Sequence, residues 1–538
     1  MTSLIRWSDH WKCNTPRLFF AFPDTINSDS KTHSRPGAVS KALVMDTTIK
    51  NPNYLDALLA DQGAALLRLT RQILMLTGIV LAPWLFGSVE TWSKIVVLFP
   101  IYLSALLLLR ERWIAKNRLE VPWPTLTPLP KTLKLAVLLL LLIPLAQCLN
   151  RSHYVSPSTG AVYAIDYLTF LPSTVNRQAT LAAWPSLLGA FIVLMTVPSL
   201  YLWPHPRRYR EKLPPRAPGV PPIITRRVFV EILVVNVMLI AFFALFQRFA
   251  GAVRIYGLRD VFFRNFYGPF IYENHAGQYL NLLLPLALGV AIMKWQPNRE
   301  FGSSSHPLWA MAAMLIAIGT FFSNSRGAIV FGAIGLFFFW IIQSFYQGKF
   351  FRAFGSLIVG VALLAGTLWS FGPESVIAEL GTIQNDLHEY STNIRWMTYQ
   401  VTTEIMEDYP IFGTGYQTWA SIFPKYQPVE LRGRWETAHS DPMQFVAEMG
   451  WVGAGCLLLL CIGLVLAWRQ ETPRRSIPIA CGSFAGFLAL FGNSLIDFPF
   501  AVLSISLTAM AVLAPIRRPP AIPKPAASPN PTPINESA

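Results

Sequence analysis

Apolar residues recur along this chain in long runs, near 70–87, 93–109, 132–149, 181–203, 227–250, 276–293, 308–323, 327–346, 352–371, 442–467, 476–496 and 499–515. A bilayer's hydrocarbon core is roughly 30 Å thick and a helix rises about 1.5 Å per residue, so one crossing needs about 20 mostly apolar residues. The runs therefore predict an all-α fold, a polytopic transmembrane helical bundle of about 12 spans.

The polar connections supply an independent check, because cytoplasmic loops are enriched in Lys and Arg. Alternate connections are basic: Arg110, Arg112, Lys116 and Arg118; Arg207, Arg208, Arg210, Lys212, Arg216, Arg226 and Arg227; Lys294 and Arg299; Lys349 and Arg352; Arg469, Arg474 and Arg475; and Arg517 with Arg518. An even number of spans with both termini in the cytoplasm follows. The other connections, short turns near 88–92, 324–326 and 497–498 and longer loops at about 150–180, 251–275 and 372–441, then face the periplasm.

Composition agrees with this picture: 53% of the 538 residues are hydrophobic and only 14% charged, far from a soluble domain. The net charge of +15 could suggest nucleic acid, but the basic residues are dispersed between apolar runs and form no stripe, so no nucleic-acid partner is expected. Cys13, Cys148, Cys456, Cys461 and Cys481 show no metal-ligand spacing, and four of them sit in or beside apolar runs, which suits packing.

Three regions result. Residues 1–65 are polar, lack the pattern of a signal peptide and read as a cytoplasmic tail; residues 66–516 form the membrane domain; residues 517–538, rich in Pro and Ala, read as a disordered cytoplasmic tail. Within the domain, the 372–441 connection before span 10 is too long for a simple tether, and loops of that size carry function or helices of their own. Ile394, Met397, Val401 and Ile405 have the spacing of an amphipathic helix lying on the bundle, and Pro410, Gly413 and Gly415 end it.

Candidate chemistry gathers on this outer side. The loop closes with Ala438-His439-Ser440-Asp441-Pro442-Met443-Gln444. Asp441 fits an N-cap, with Pro442 at the first helical position and Gln444 as its reciprocal partner, and this capping accounts for Asp441 without any catalytic role. Capping does not require His439. Beside a helix N-terminus an imidazole is favoured in its neutral, proton-accepting form, which suits a general base, although a lone loop histidine can equally be a solvated side chain. Glu448, two turns into the following span, must face protein or water, either as a polar pin between helices or as an acceptor-binding group.

Arg326 opens a helix after the polar turn Ser323-Asn324-Ser325, where free amides and a guanidinium suit a phosphate anion; a snorkelling interface arginine is the alternative. Arg395, next to Trp396 on the amphipathic segment, is a second cation that could share a pyrophosphate. Arg264, with Arg254 and Arg259, lies in the 251–275 loop, and Tyr272-Glu273-Asn274-His275 leads into another span, where Asn274 can cap and His275 can bind substrate or anchor at the interface.

This set resembles the O-antigen ligase family, which shares its membrane domain with O-antigen polymerases. The resemblance rests on Glu273-Asn274-His275-Ala276-Gly277, on Ser325-Arg326-Gly327-Ala328, on Arg395-Trp396 ahead of Pro410-Ile411-Phe412-Gly413-Thr414-Gly415-Tyr416, and on His439-Ser440-Asp441 with Glu448-Met449-Gly450-Trp451-Val452-Gly453. It implies a bacterial inner-membrane enzyme moving a glycan from undecaprenyl pyrophosphate to lipid A core or another glycan at the periplasmic face. The partners it implies are that lipid-linked donor, that acceptor and membrane lipids. By the same resemblance Arg326 and Arg395 hold the pyrophosphate and His439 activates the acceptor hydroxyl, with inversion at the anomeric carbon. Arg264, Asn274, His275, Ser325, Asp441 and Glu448 complete the expected substrate site. The family's ligases imply no cofactor and no metal, and the sequence has no DxD-like acidic pair or Gly-rich nucleotide cradle. A repeat-unit polymerase of the same superfamily is the alternative. A secondary transporter is disfavoured, because no repeat of one half in the other is evident and the polar candidates lie at one face.

Overall fold

The computed structural model describes residues 52–118, 129–156, 162–200, 224–261, 265–295, 305–347, 390–471 and 476–514, with positions 355 and 358. The expected span at 352–371 otherwise lies outside the described residues, as do Arg264, the tail to residue 51 and the tail from 515. The chain divides into two units, Met1–Leu58 and Leu59–Ala538. Of the first, only the opening turns of one helix are described; the rest concerns the second.

Thirteen helices are described: α1 Pro52–Trp84, α2 Thr91–Arg118, α3 Lys131–Leu149, α4 Arg177–Leu200, α5 Arg226–Phe249, α6 Glu273–Lys294, α7 His306–Phe321, α8 Arg326–Gln347, α9 Tyr390–Asp408, α10 Trp419–Tyr426, α11 Asp441–Glu471, α12 Ile477–Ser494 and α13 Leu503–Leu513. Nine are long and apolar enough to cross a membrane, and α7 and α13 are shorter apolar helices, so eleven of the twelve predicted runs are helices among the described residues. The protein is a multi-pass, all-α membrane protein. α1 starts well before the expected domain boundary at residue 66, yet its apolar crossing begins at Leu66. A strand pair, β1 His153–Val155 and β2 Val162–Ala164, forms an antiparallel hairpin between α3 and α4.

Helix ends follow local chemistry. The Thr225 hydroxyl accepts the Val228 N–H at 3.3 Å and so caps α5. Pro307 and Pro478 occupy first turns, where a missing N–H costs nothing.

The centre of the bundle is α6, whose apolar window is 83% buried, against 33% for α8. It packs most extensively on α12 and also contacts α5, α7 and α8. The approach to α12 is close because Gly482 and Gly486 meet the α6 backbone at Pro285 and Leu282, leaving no room for a side chain. Because protein surrounds α6, it tolerates the buried Gln278 and Asn281 that a lipid-facing helix could not.

Candidate active site

α9 behaves as its spacing predicts. Val401 and Ile405 are buried with Trp419, Ile422 and Phe423 of α10 in a small core that also takes in Val175, Leu431, Ala438 and Ala447. This satellite core seats the long loop on the first turns of α11.

Glu448 is the hub of that seating. Its carboxylate accepts the N–H groups of Gln417 at 2.8 Å and Trp419 at 3.1 Å and the Gln444 side-chain amide at 3.0 Å, while it is only 1% exposed. Gln147 of α3 donates to the carbonyls of Phe412 at 2.8 Å and Glu448 at 3.1 Å and accepts the Tyr416 N–H at 3.0 Å. α11 is interrupted at Gly450, with φ 64° and ψ −174°, a conformation open to glycine; there Trp451 N–H turns to Pro410 O at 2.8 Å and Val452 N–H to Ile411 O at 3.2 Å. Of the two readings left open by the sequence, the geometry of Glu448 matches the polar pin.

Asp441 departs from the expected N-cap. The Ser440 carbonyl accepts the Gln444 N–H at 2.9 Å, and the Asp441 carboxylate reaches instead to the Phe500 N–H at 2.9 Å. The Asp441 N–H meets the Asp497 carbonyl at 3.2 Å, so this residue docks the α12–α13 turn under the loop. Gln444 does fold back, but onto the Ala438 N–H at 3.1 Å. Phe500, which takes the carboxylate, lies 59 residues onward, beyond the reach of a capping argument built on neighbours.

His439 sits just before this start in the left-handed region, φ 54°, where a residue other than glycine is strained. Tyr399 of α9 donates to its carbonyl at 3.1 Å. Its ring meets Phe498 edge-on at 5.2 Å and Trp435 at 5.9 Å, and its Nδ1 is buried without a hydrogen-bond partner. It lines a cleft of about 450 Å³ with Arg259, Asn265, Ile271, Tyr272, His275 and Phe498. Burial and, second, the nearby Arg395 guanidinium push the His439 imidazole down to about 4, so it is uncharged at neutral pH. The expected neutral state is present, but these two causes replace the helix N-terminus invoked from sequence.

Arg395, half-buried on α9, does not line the cleft; it hydrogen-bonds the Tyr272 hydroxyl in the cleft wall and interacts with Asp497. Burial raises Asp497, opposed by hydrogen bonds from Phe498 N–H at 3.0 Å and Gln278 at 2.8 Å and by Arg395. Asn274 bonds Tyr272 through its side chain at 2.7 Å and also reaches Asp497, a wall-building role in place of helix capping. Burial lifts the Tyr272 phenol to about 12, keeping it a neutral donor.

Arg326 is the first residue of α8. Ser325 caps the helix, its hydroxyl accepting the Ala328 N–H at 3.2 Å, and is 2% exposed. Asn281 of α6 donates to Ala328 O at 2.5 Å, and Gly327 abuts Asn493 and Ile496, immediately before Asp497. Arg326 thus stands, half-buried, beside the segment that carries Asp497 and Phe498.

The structure brings together His439, His275, Asn274 and Arg395, with Arg326 on the adjoining helix start, and assigns Ser325, Asp441 and Glu448 to the scaffold. Sequence reasoning missed Asp497, Phe498 and Tyr399. The available signal was Asp497 itself, a carboxylate in a turn between two apolar runs. Among the described residues no three His, Cys, Asp or Glu side chains form a group that could hold a metal ion.

Residues 311–458 match the family model described as O-antigen ligase, a segment running from α7 into α11 that includes Arg326, Arg395 and His439 but neither His275 nor Asp497. No curated protein matches the chain.

Proposed function

We propose, from the match of residues 311–458 to the O-antigen ligase family model, that the protein transfers a glycan from undecaprenyl pyrophosphate to lipid A core at the periplasmic face of a bacterial inner membrane, with both termini cytoplasmic. The observation that carries this reading is His439 in the cleft wall, its Nδ1 buried without a hydrogen-bond partner and Arg395 near enough to act on its charge.

In this reading the acceptor hydroxyl enters the cleft and gives its proton to the His439 imidazole as its oxygen attacks the anomeric carbon. The bond from that carbon to the pyrophosphate oxygen breaks with both electrons leaving on the pyrophosphate. Arg395 and Arg326 stabilise the developing charge, and water takes the proton from His439 to complete the cycle. One displacement inverts the anomeric centre. Asp497 and Tyr272 orient Arg395, while Asp441, Glu448 and Ser325 hold the loops and helix starts in register.

Reconstitution tests the proposal. Purified protein given undecaprenyl-pyrophosphate-linked glycan and lipid A core should produce the joined glycolipid with inverted stereochemistry. Joining of two lipid-linked repeat units in place of that product would make it the polymerase of the same superfamily, and no transfer to either acceptor would reject the reading.

A further inference from the structure

His275 is the third residue of α6, 7% exposed, and it lines the cleft with Nε2 buried and lacking a hydrogen-bond partner. Its ring is fixed edge-on against Tyr272 at 5.0 Å and Phe498 at 4.9 Å. Phe498 is the same ring that His439 meets at 5.2 Å, so the two imidazoles share one aromatic neighbour. A nitrogen kept from water without a partner is costly, and one on a rigidly packed residue of a cavity wall can be satisfied by a ligand.

The surroundings select the ligand's chemistry. Charged groups at the rim already have partners: Arg259 meets Glu90 at 2.5 Å, and Asp260 meets Arg254 at 2.8 Å. Further in, Ile271, Tyr272 and Phe498 present apolar faces beside the histidine nitrogen. Apolar aromatic walls with a few placed polar atoms suit a sugar ring, whose C–H face is apolar and whose edge carries hydroxyls, better than they suit a phosphate.

We infer that His275 is a positioning residue for the acceptor sugar, holding one hydroxyl through Nε2 while His439 acts on another; this rests on the glycan-transfer reading above. Either tautomer serves, since a hydroxyl both donates and accepts.

The test uses the full-length enzyme, undecaprenyl-pyrophosphate-linked glycan and lipid A core acceptors whose terminal sugar lacks one hydroxyl at a time. His275→Ala should raise the acceptor KM by about tenfold, the scale of one lost hydrogen bond, leaving kcat, the donor KM and the pH profile unchanged. His275→Gln, which keeps an amide donor and acceptor, should recover part of the loss. One deoxy acceptor should cost the unaltered enzyme the same factor and cost His275→Ala nothing more, the non-additivity expected of two groups that touch. Additive losses on every deoxy acceptor, a raised donor KM, or a shifted acid limb would overturn the inference. If His275→Ala does not fold, His275→Phe, which keeps a packed ring without its nitrogens, carries the same cycle. Absence of transfer by the unaltered enzyme would reject the glycan-transfer reading and this inference together, whereas transfer with additive losses rejects this inference alone.

Discussion

The two ends of the spans bury polar groups in opposite ways. At the end where the apolar crossing of α1 begins and that of α2 finishes, Glu111 lies 2.6 Å from Arg68 and 3.3 Å from Arg71. Arg71 also reaches Ser199 O at 3.4 Å, and Gln72 donates to Leu200 O at 2.7 Å and Ile224 O at 3.0 Å. Each charged group there has an opposite charge beside it, although Arg71 Nε, Arg71 Nη1 and Glu111 Oε2 make no hydrogen bond, and the network ties α1 and α2 to the end of α4 and the approach to α5. At the cleft, by contrast, His439 Nδ1 and His275 Nε2 have no partner. Opposite charges paired within the protein hold helices together; a neutral imidazole nitrogen on a residue of a cavity wall, with no hydrogen bond, is open to something that arrives.

The largest expected effect comes from emptying the cleft. His439→Ala should lower transfer by about 10²–10⁴-fold, the usual worth of a positioned base, with membrane insertion and thermal midpoint unchanged. A variant retaining most of its rate would end the proposed proton transfer. Arg326→Ala and Arg395→Ala should each cost about 10²–10³-fold by removing a donor to the leaving group, again at normal protein level.

The opposite end should answer with stability in place of rate. Glu111→Leu leaves the buried Arg71 guanidinium and the partly buried Arg68 without their carboxylate, and breaking a buried pair from one side costs about 3–5 kcal/mol. Its thermal midpoint in detergent should fall, while turnover per folded molecule stays at the starting value. A lost rate with an intact midpoint would erase the distinction between the two ends.

Glu448 sharpens the contrast, because it lies near the cleft yet is fully matched. Glu448→Ala strands two backbone N–H groups and an amide, at about 1–3 kcal/mol for each buried group left unsatisfied. It should therefore behave like Glu111, losing stability first, and Glu448→Gln should recover part of it because its amide oxygen still accepts. Thermal unfolding and turnover measured on the same preparation separate these outcomes.

The same contrast explains what could be read from the sequence. Spans were legible because their signal is local: about 20 apolar residues suffice, and α3, expected over 132–149, is found at Lys131–Leu149. The face that α9 buries was also local, given by the spacing of Val401 and Ile405. Partners were not. Asp441 looked like a cap because its neighbours allow one, and only the fold supplies the Phe500 N–H that takes its carboxylate. His439 and Arg395 stood out as isolated polar groups, but the Phe498 that meets His439 and the Asp497 that pairs with Arg395 come from a short turn far along the chain.

The smallest effect, and the most specific, is a separation between two pH limbs. In the empty cleft, burial first and Arg395 second hold His439 at about 4, and kcat/KM reports the free enzyme, so its acid limb should fall near pH 4. A pyrophosphate beside Arg395 brings negative charge, which offsets the guanidinium and favours the imidazolium. The acid limb of kcat, which reports the donor-bound enzyme, should then lie higher, making His439 a better base when a leaving group is present. Arg395→Gln removes the second cause, so its kcat/KM limb should move upward and the two limbs converge, by less than a full return to the free imidazole value because burial remains. Stability carries the same sign: the unfolded histidine binds its proton below about 6.5, the folded one only near 4. Between those values the unfolded chain holds the extra proton, so this contribution is complete above the unfolded value and is lost as pH falls toward the folded one. Acid limbs of kcat/KM and kcat that coincide near pH 6.5 would show an exposed histidine, and would remove both the burial and the role of Arg395 in tuning it.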